Sequence, residues 1–291
     1  MGVLFDNVTT CHRDHAAGPD ALIAALDGLT VRFSPGRLTA LLGSPGSGKS
    51  TLLQHINGLI RPDAGRVQVF EWDIGPDRPK DVPGELRRRA GVVFQFPEQQ
   101  LFEVTVRSEL LFAPLQFGLE RKRAERAAEA AAELVGITGI LDANPLELSS
   151  GQRRKVAIAA VLAADPDLLA LDEPTASLDP VSRTELMTLL ARLCRERGKT
   201  VITATHRLED VLGFADECVV LAKGRLLFQG TPQALAGRPD VMEAAGLAPP
   251  PAQRLAALLA AKWRTTPPPF GSAAELAAWT ARRLLEEGAG P

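Results

Sequence analysis

Gly43-Ser44-Pro45-Gly46-Ser47-Gly48-Lys49-Ser50, followed by Thr51, is the stretch that decides how this chain is read. It fits the pattern G-x-x-x-x-G-K-[ST], in which a glycine-rich loop cradles phosphates. Upstream, Leu38-Thr39-Ala40-Leu41-Leu42 is a short, mostly apolar run of the kind that forms a buried strand. Downstream, Thr51 to Asn57 reads as a helix stopped by Gly58 at its C′ position. Strand, glycine loop and helix is the context such a loop requires. Gly43, Gly46 and Gly48 let backbone N–H groups converge on one concavity at the positive end of the helix. Lys49 is placed to reach the β- and γ-phosphates, and the Ser50 hydroxyl to ligate Mg²⁺.

The rest of the composition narrows the class. With 291 residues, 45% of them hydrophobic and 23% charged, the chain has an ordinary globular balance and room for one large or two small domains. A net charge of −2 without a long basic run gives no reason to expect nucleic acid as a ligand. Cys11, Cys194 and Cys218 are widely spaced and form neither a metal-ligand pattern nor a disulfide set, which suits a reducing cytoplasm. No apolar run approaches transmembrane length, and the N-terminus lacks the apolar core of a signal peptide, so a chain soluble by itself is expected.

Residues 1–42 read as β-rich, with strands at Val3–Phe5 and Leu29–Phe33 and a polar loop from His12 to Asp20. Beyond the glycine loop, Arg66–Phe70 alternates as an edge strand does, and Gly75–Gly84, with three prolines, reads as an exposed loop. A buried strand, Gly91–Phe94, ends at Gln95, and Pro97 stops it from continuing. Gln95 is placed either to contact Mg²⁺ and an attacking water or simply to bond backbone in a loop. Thr105 caps a helix that Pro114 bends or ends. Arg121–Val135, alanine-rich and charged, is a solvated surface helix with no chemistry. Leu148-Ser149-Ser150-Gly151-Gln152 opens another helix, with Ser149 as N-cap and a second anion-binding N-terminus. One glycine loop already serves one nucleotide, so this second site is best explained by a second nucleotide held by another copy of the fold.

Leu168–Leu171 is an apolar strand ending in Asp172-Glu173, about 120 residues beyond the glycine loop. An Asp there anchors the Mg²⁺ shell, and Glu173 is placed to polarise water for in-line attack on a γ-phosphate. Ser177-Leu178-Asp179-Pro180 starts a helix to about Arg197, and the β-branched strand Thr200–Thr205 ends on His206, placed to contact the γ-phosphate. Cys218–Leu221 and Arg225–Phe228 form a hairpin, and Thr231-Pro232 starts a short helix. In the tail, Leu255, Leu258, Leu259 and Trp263 make a stripe at helical spacing, and Ser272 with Glu275 forms a capping box before a helix bearing Leu276, Trp279 and Leu284. Those stripes pack either on their own domain or against a second subunit.

Taken in order, these elements make residues 1–235 resemble an ATP-binding-cassette (ABC) ATPase. The resemblance implies an α/β fold: a P-loop NTPase (RecA-like) core, an antiparallel β subdomain, a helical signature subdomain at about 99–164, and a small C-terminal helical extension over 236–291. Phe94-Gln95-Phe96-Pro97-Glu98-Gln99-Gln100-Leu101-Phe102, Arg153–Ala159 and the extension look like the energy-coupling-factor (ECF) ATPases, which energise uptake of vitamins or of cobalt and nickel ions. The resemblance implies ATP and Mg²⁺ as ligands, with Gly43 to Thr51 binding phosphate and Ser50, Asp172 and Gln95 at the metal. It makes Glu173 the base, His206 and Gln95 its catalytic companions, and Ser149, Ser150, Gly151 and Gln152 the contacts to a partner's ATP. Two ATPase subunits, identical or not, would close head to tail. They would act on a transmembrane coupling subunit and a membrane substrate-binder at the cytoplasmic face. Another ABC transporter and a soluble non-transport ABC protein are the alternatives. Ser150 departs from the family's usual Gly, and alignment against Phe5-Asp6-Asn7-Val8 puts His12 where an aromatic usually stacks on adenine.

Overall fold

The computed structural model describes residues 2–13, 22–77, 82–176, 178–266 and 273–288. In chain order the first half runs β1 (Val3–Arg13), β2 (Leu22–Phe33), β3 (Leu38–Leu42), α1 (Lys49–Ile56), β4 (Ala64–Val69), β5 (Trp72–Ile74), α2 (Gly84–Arg89), β6 (Ala90–Val93), α3 (Val106–Gln116) and α4 (Arg121–Val135). The second half runs α5 (Ser150–Leu162), β7 (Leu168–Asp172), α6 (Pro180–Arg197), β8 (Thr200–Thr205), β9 (Glu217–Ala222), β10 (Arg225–Gly230), α7 (Pro232–Ala236), α8 (Pro239–Ala244), α9 (Pro251–Trp263) and α10 (Ala273–Gly288).

β3 is the strand quoted first, and all five of its residues are buried. It lies inside a six-stranded sheet ordered β10-β9-β3-β8-β7-β6, parallel except for the hairpin strand β10. Strand periodicity divides its side chains between two cores. Leu38, Ala40 and Leu42 face one core with α3 to α6, while Leu41 joins the other with Leu52, Leu53 and Ile56 of α1. That second core also takes Val3, Phe5, Leu29, Val31 and Val67 from a four-stranded antiparallel sheet ordered β2-β1-β4-β5. Helix α1 is therefore packed between two sheets, which fixes the direction of its N-terminus. The loop ahead of it opens at the carboxyl ends of β3, β7 and β8, where open α/β sheets place their ligands.

Several local expectations hold. Thr105, Ser149 and Thr231 each cap the helix that follows, and Pro114 lies inside α3, which ends two residues later. Asn57 caps α1 and Gly58 follows it in the left-handed region. Others need correction. β1 runs on to Arg13, so His12 sits on a strand paired with Ile23 rather than at the start of a loop. Residues 14–20 of that expected loop lie outside the described residues. β4 is an interior strand between β1 and β5, its alternation reflecting one face on the core and one in solvent. Within the expected exposed loop, Gly75 is buried and α2 begins at Gly84. β6 is the edge strand of its sheet and only half-buried. The solvated helix α4 exposes its charges, yet it buries Ala124, Ala128, Ala131 and Val135 on one face.

The tail departs furthest from its pattern. α8 packs Val241 and Met242, with Ala245 and Leu247, into the first core, on the ATPase side of the expected 235/236 division. In α9 the buried residues are Ala256 and Ala260, and Leu255 and Leu258 of the expected stripe are exposed. Ala256 meets Leu276, while Trp263 and Trp279 cross edge to face at 5.3 Å. Ser272 lies outside the described residues. The three cysteines are free, and burial pushes the Cys194 and Cys218 thiols up to about 12, so both stay protonated.

Candidate functional site

The glycine loop owes its shape to neighbours that leave no room for side chains. Gly48 has φ +104, and a Cβ there would lie 2.4 Å from the Ala25 carbonyl oxygen on β2. A Cβ at Gly43 would lie 2.5 Å from the Leu221 carbonyl oxygen. The β9–β10 turn clasps the loop from outside: Gly224 N donates to Ser47 O at 3.1 Å, and Asp27 N to Gly224 O at 3.0 Å. From the far side, Ser44 N donates to Ala245 O at 3.2 Å, so the residue after α8 braces the loop as well. None of these three braces is visible in the motif itself.

Lys49 is buried, and its Nζ donates to Gly43 O at 2.7 Å and Ser44 O at 3.1 Å. Burial lowers its pKa, and the nearby Glu173 and Asp172 carboxyls oppose that shift. Asp172 ends β7, also buried. Loss of solvation pushes its carboxyl upward, a hydrogen bond from the Ser50 side chain pulls it back, and Glu173 pushes it up again. Glu173 follows in the left-handed region at φ +48, pinned by its N–H to Ala204 O at 2.9 Å. That turn swings its carboxylate away from Asp172 and onto His206, whose Nδ1 lies 2.8 Å from Glu173 Oε1.

These residues line one cleft of about 510 Å³, shared by Pro45, Gly46, Gly48, Lys49, Ser50 and Thr51 with Gln95, Asp172, Glu173 and His206. Gln95 therefore stands on the cleft wall. His12 is on the same cleft beside Ile23, Ala24 and Ala25, its Nε2 3.1 Å from Thr51 Oγ1. Behind α1, the buried His55 joins Thr51 O at 2.7 Å to Thr10 Oγ1 at 3.0 Å, and burial pulls its imidazole down to about 4. A metal would find oxygen donors here: the Ser50 hydroxyl, the Asp172 carboxylate and the Gln95 amide. That set fits Mg²⁺, which takes one or two protein carboxylates and completes its shell with phosphate and water. Among the described residues no group of three or more His, Cys, Asp or Glu comes together as a self-sufficient metal site.

Ser149, Ser150, Gly151 and Gln152 are elsewhere. They line a separate hollow of about 570 Å³ with Leu178, Asp179 and Ser182, which shares no residue with the first cleft. Ser149 Oγ accepts from Gln152 N at 3.3 Å, and Gln152 Oε1 from Ser149 N at 3.0 Å, a reciprocal capping box. Ser177 lies outside the described residues. The sequence pattern also gave no signal for Asp210, a buried carboxylate that gathers Thr175 and Arg183 four residues beyond His206.

The ABC transporter family profile matches residues 26–176. The energy-coupling factor transporter ATP-binding protein EcfA2 of Latilactobacillus sakei is 43% identical over 263 residues, 90% of either chain. That of Geobacillus kaustophilus is 44% identical over 257 residues, 88% of this chain and 87% of its own. Among solved structures, CbiO1 from Clostridium perfringens, part of the ABC transporter complex CbiONQ, superposes with TM-score 0.70 at 32% identity, covering 88% of this chain and 98% of its own. A dimeric ATP-binding cassette in a post-hydrolysis state with ADP and Pi gives TM-score 0.68 at 26% identity, over 79% of this chain and 98% of its own.

Proposed function

This chain belongs to the ABC transporter family as an ATP-hydrolysing subunit of the energy-coupling factor type, and from that premise we propose how its residues divide the work. The observation that carries the reading is the convergence of Lys49, Ser50, Asp172, Glu173, His206 and Gln95 on one cleft. Gly43 to Thr51, with Ser44, Pro45 and Ser47 between the glycines, take the phosphates of ATP through backbone N–H groups and Lys49. His12 receives the adenine against the apolar wall of Ile23 and Ala25. Ser50, Asp172 and Gln95 would hold Mg²⁺, which would supply charge neutralisation to the phosphate oxygens. Glu173 accepts a proton from water as its oxygen attacks the γ-phosphorus, ADP departs with the electrons of the broken bond, and His206 holds the reacting geometry.

The signature hollow needs a second cassette. Ser149, Ser150, Gly151 and Gln152 present a helix N-terminus that stands apart from the chain's own glycine-loop cleft, so it serves the ATP of a facing subunit. Each nucleotide then binds the closed pair better than the open one, and ATP drives closure. A groove of about 320 Å³ beside the Pro97–Phe102 segment, with the exposed Phe102 and Phe112 on it, accepts the coupling helices of a transmembrane subunit. Among the described residues no helix is long and apolar enough to cross a membrane. Association with the cytoplasmic face therefore comes through that subunit and a membrane substrate-binder, whose cargo is a vitamin or a transition-metal ion. Residues up to about 247 form the ATPase, and α9 with α10 form an extension that meets a second subunit; nucleic acid has no part.

Two measurements test this. Glu173→Gln should cut ATP turnover by at least about a hundredfold, the usual share of a general base, with ATP still bound. Wild-type turnover in that variant removes Glu173 from its role. Affinity purification of the tagged chain from detergent-solubilised membranes should recover a helical coupling protein, a small membrane substrate-binder and an ATPase partner. Recovery of an ordinary transporter's permease moves the chain to another ABC importer or exporter, and recovery of ribosomes or DNA-repair factors removes the transport role.

A further inference from the structure

Behind the Glu173–His206 contact lies a second connection between the same two turns. Asp210 is buried, and its carboxylate accepts from Thr175 Oγ1 at 2.9 Å and from Arg183 Nη1 at 3.2 Å, with Arg207 Nε 3.6 Å away. Thr175 sits two residues past Glu173, in a turn closed by Ala176 N to Glu173 O and Leu178 N to Thr175 O. Arg207 follows His206 directly, and Asp210 N donates back to Arg207 O at 3.2 Å. Arg183, on the first turns of α6, also donates through Nη2 to Leu178 O at 3.1 Å. One carboxylate thereby holds together the turn after the base, the turn after the histidine and the start of α6.

Burying a carboxylate costs solvation, and apolar packing in its place would serve stability at least as well. α6 does not need Asp210 for its own start, because Asp179 already caps it by accepting from Val181 N and Ser182 N. What Asp210 supplies is a fixed spacing. When His206 turns to a γ-phosphate and Glu173 to a water, their 2.8 Å contact must part. The connection through Asp210 then remains to hold the two turns at working distance. We propose that Asp210, with Thr175 and Arg183, is a positioning unit that keeps Glu173 and His206 in register during turnover. Its reach extends to Leu178, which lines the signature hollow, so the unit also ties the base to the half-site offered to the partner.

The inference rests on the reading of Glu173 and His206 as the reacting groups, and the test separates the two. In the full chain, Asp210→Ala should lower kcat for ATP roughly 100-fold, the scale expected for about 1 Å of misplacement. Its affinity for ATP should stay within about twofold, because the glycine loop is untouched. Asp210→Asn, whose amide oxygen still accepts from one donor, should recover kcat to within about tenfold of wild type. The chain has 4 histidines, so the His206 ring resonance can be assigned by its loss in His206→Ala. At constant pH that resonance should move in Asp210→Ala and stay near its wild-type position in Asp210→Asn. Unchanged kcat in Asp210→Ala, equal loss of kcat and ATP affinity, or an unmoved His206 resonance each overturns the proposal. Wild-type turnover in Glu173→Gln measured alongside removes the base instead. Turnover lost in Glu173→Gln but kept in Asp210→Ala removes the positioning unit alone.

Discussion

The two hollows that the sequence marks as anion sites are of similar size and differ in how they are built. The glycine-loop cleft is walled by β1, β2, α1, the end of β7 and the turns that follow β3, β6, β7 and β8, and its loop is clasped by backbone hydrogen bonds from Asp27 through Gly224 and with Ala245. Two of its charged groups, Lys49 and Asp172, are buried and already engaged with partners of their own chain. The signature hollow is walled by the starts of α5 and α6 and the loop after α4, and the side chains of Ser149 and Gln152 each bond the other's backbone N–H. On the proposed reading, the first hollow holds its nucleotide with groups of its own chain and is completed by the signature of a facing one. The second, on the same reading, contributes to the nucleotide of that facing subunit, so neither hollow would be complete in a single chain.

A carboxylate in the second hollow breaks the symmetry most sharply. Gly151→Asp would set a charge against the partner's γ-phosphate, about 4 kcal/mol at 4 Å and an effective dielectric near 20, so ATP-driven association should fall about a thousandfold. Affinity of the isolated chain for ATP, measured by fluorescence titration, should hold, since the chain's own cleft has no part in that hollow. Loss of both would mean that the two hollows are not separate.

Acid should loosen the first hollow before the second. His55 is held neutral in the fold, with its imidazole at about 4, and it would protonate near its ordinary value once unfolded. Between those values the unfolded chain binds more protons. The stability linked to His55 is thus complete above about pH 6.5 and is lost as pH falls toward 4, up to about 3 kcal/mol in all. Urea unfolding midpoints across that range should fall less in His55→Gln than in wild type; parallel slopes would remove His55 as the cause.

The smallest effect is at the base platform. His12→Tyr should tighten ATP binding about two- to tenfold, the worth of a better aromatic stack, and should leave ATP-driven association unaltered once the cleft is saturated. An unchanged Kd by isothermal titration would place adenine elsewhere on the cleft.

Much of this was legible in the chain itself, and the pattern of success has a physical basis. Thr105, Ser149 and Thr231 were readable as caps because a cap is decided by residues within one turn of it. The strand Leu38–Leu42 was readable because its burial on both faces leaves a run apolar at every position but Thr39. The edge character expected of Arg66–Phe70 failed, since alternation reports one buried face and says nothing of which strands lie alongside. In the tail the leucine stripe misled for a related reason. Ala256 meets Leu276 of α10 and Trp263 crosses Trp279, while Leu255 and Leu258 are left in solvent.

By itself the sequence determined the chemical inventory: which side chains of phosphate-binding, metal-ligating or proton-accepting type it holds, and in what order they come along the chain. Only the tertiary structure decided which of them meet. Glu173 and His206 are 33 residues apart, and their 2.8 Å contact exists because β7 and β8 lie side by side with Asp172 opposite Ala204. Asp210 has no motif to announce it, and its partners Thr175, Arg207 and Arg183 come from the turns after β7 and β8 and from the start of α6. Local signals fix local conformation, but strand order and register arise from burying two faces of a sheet at once, which no short stretch of the chain encodes.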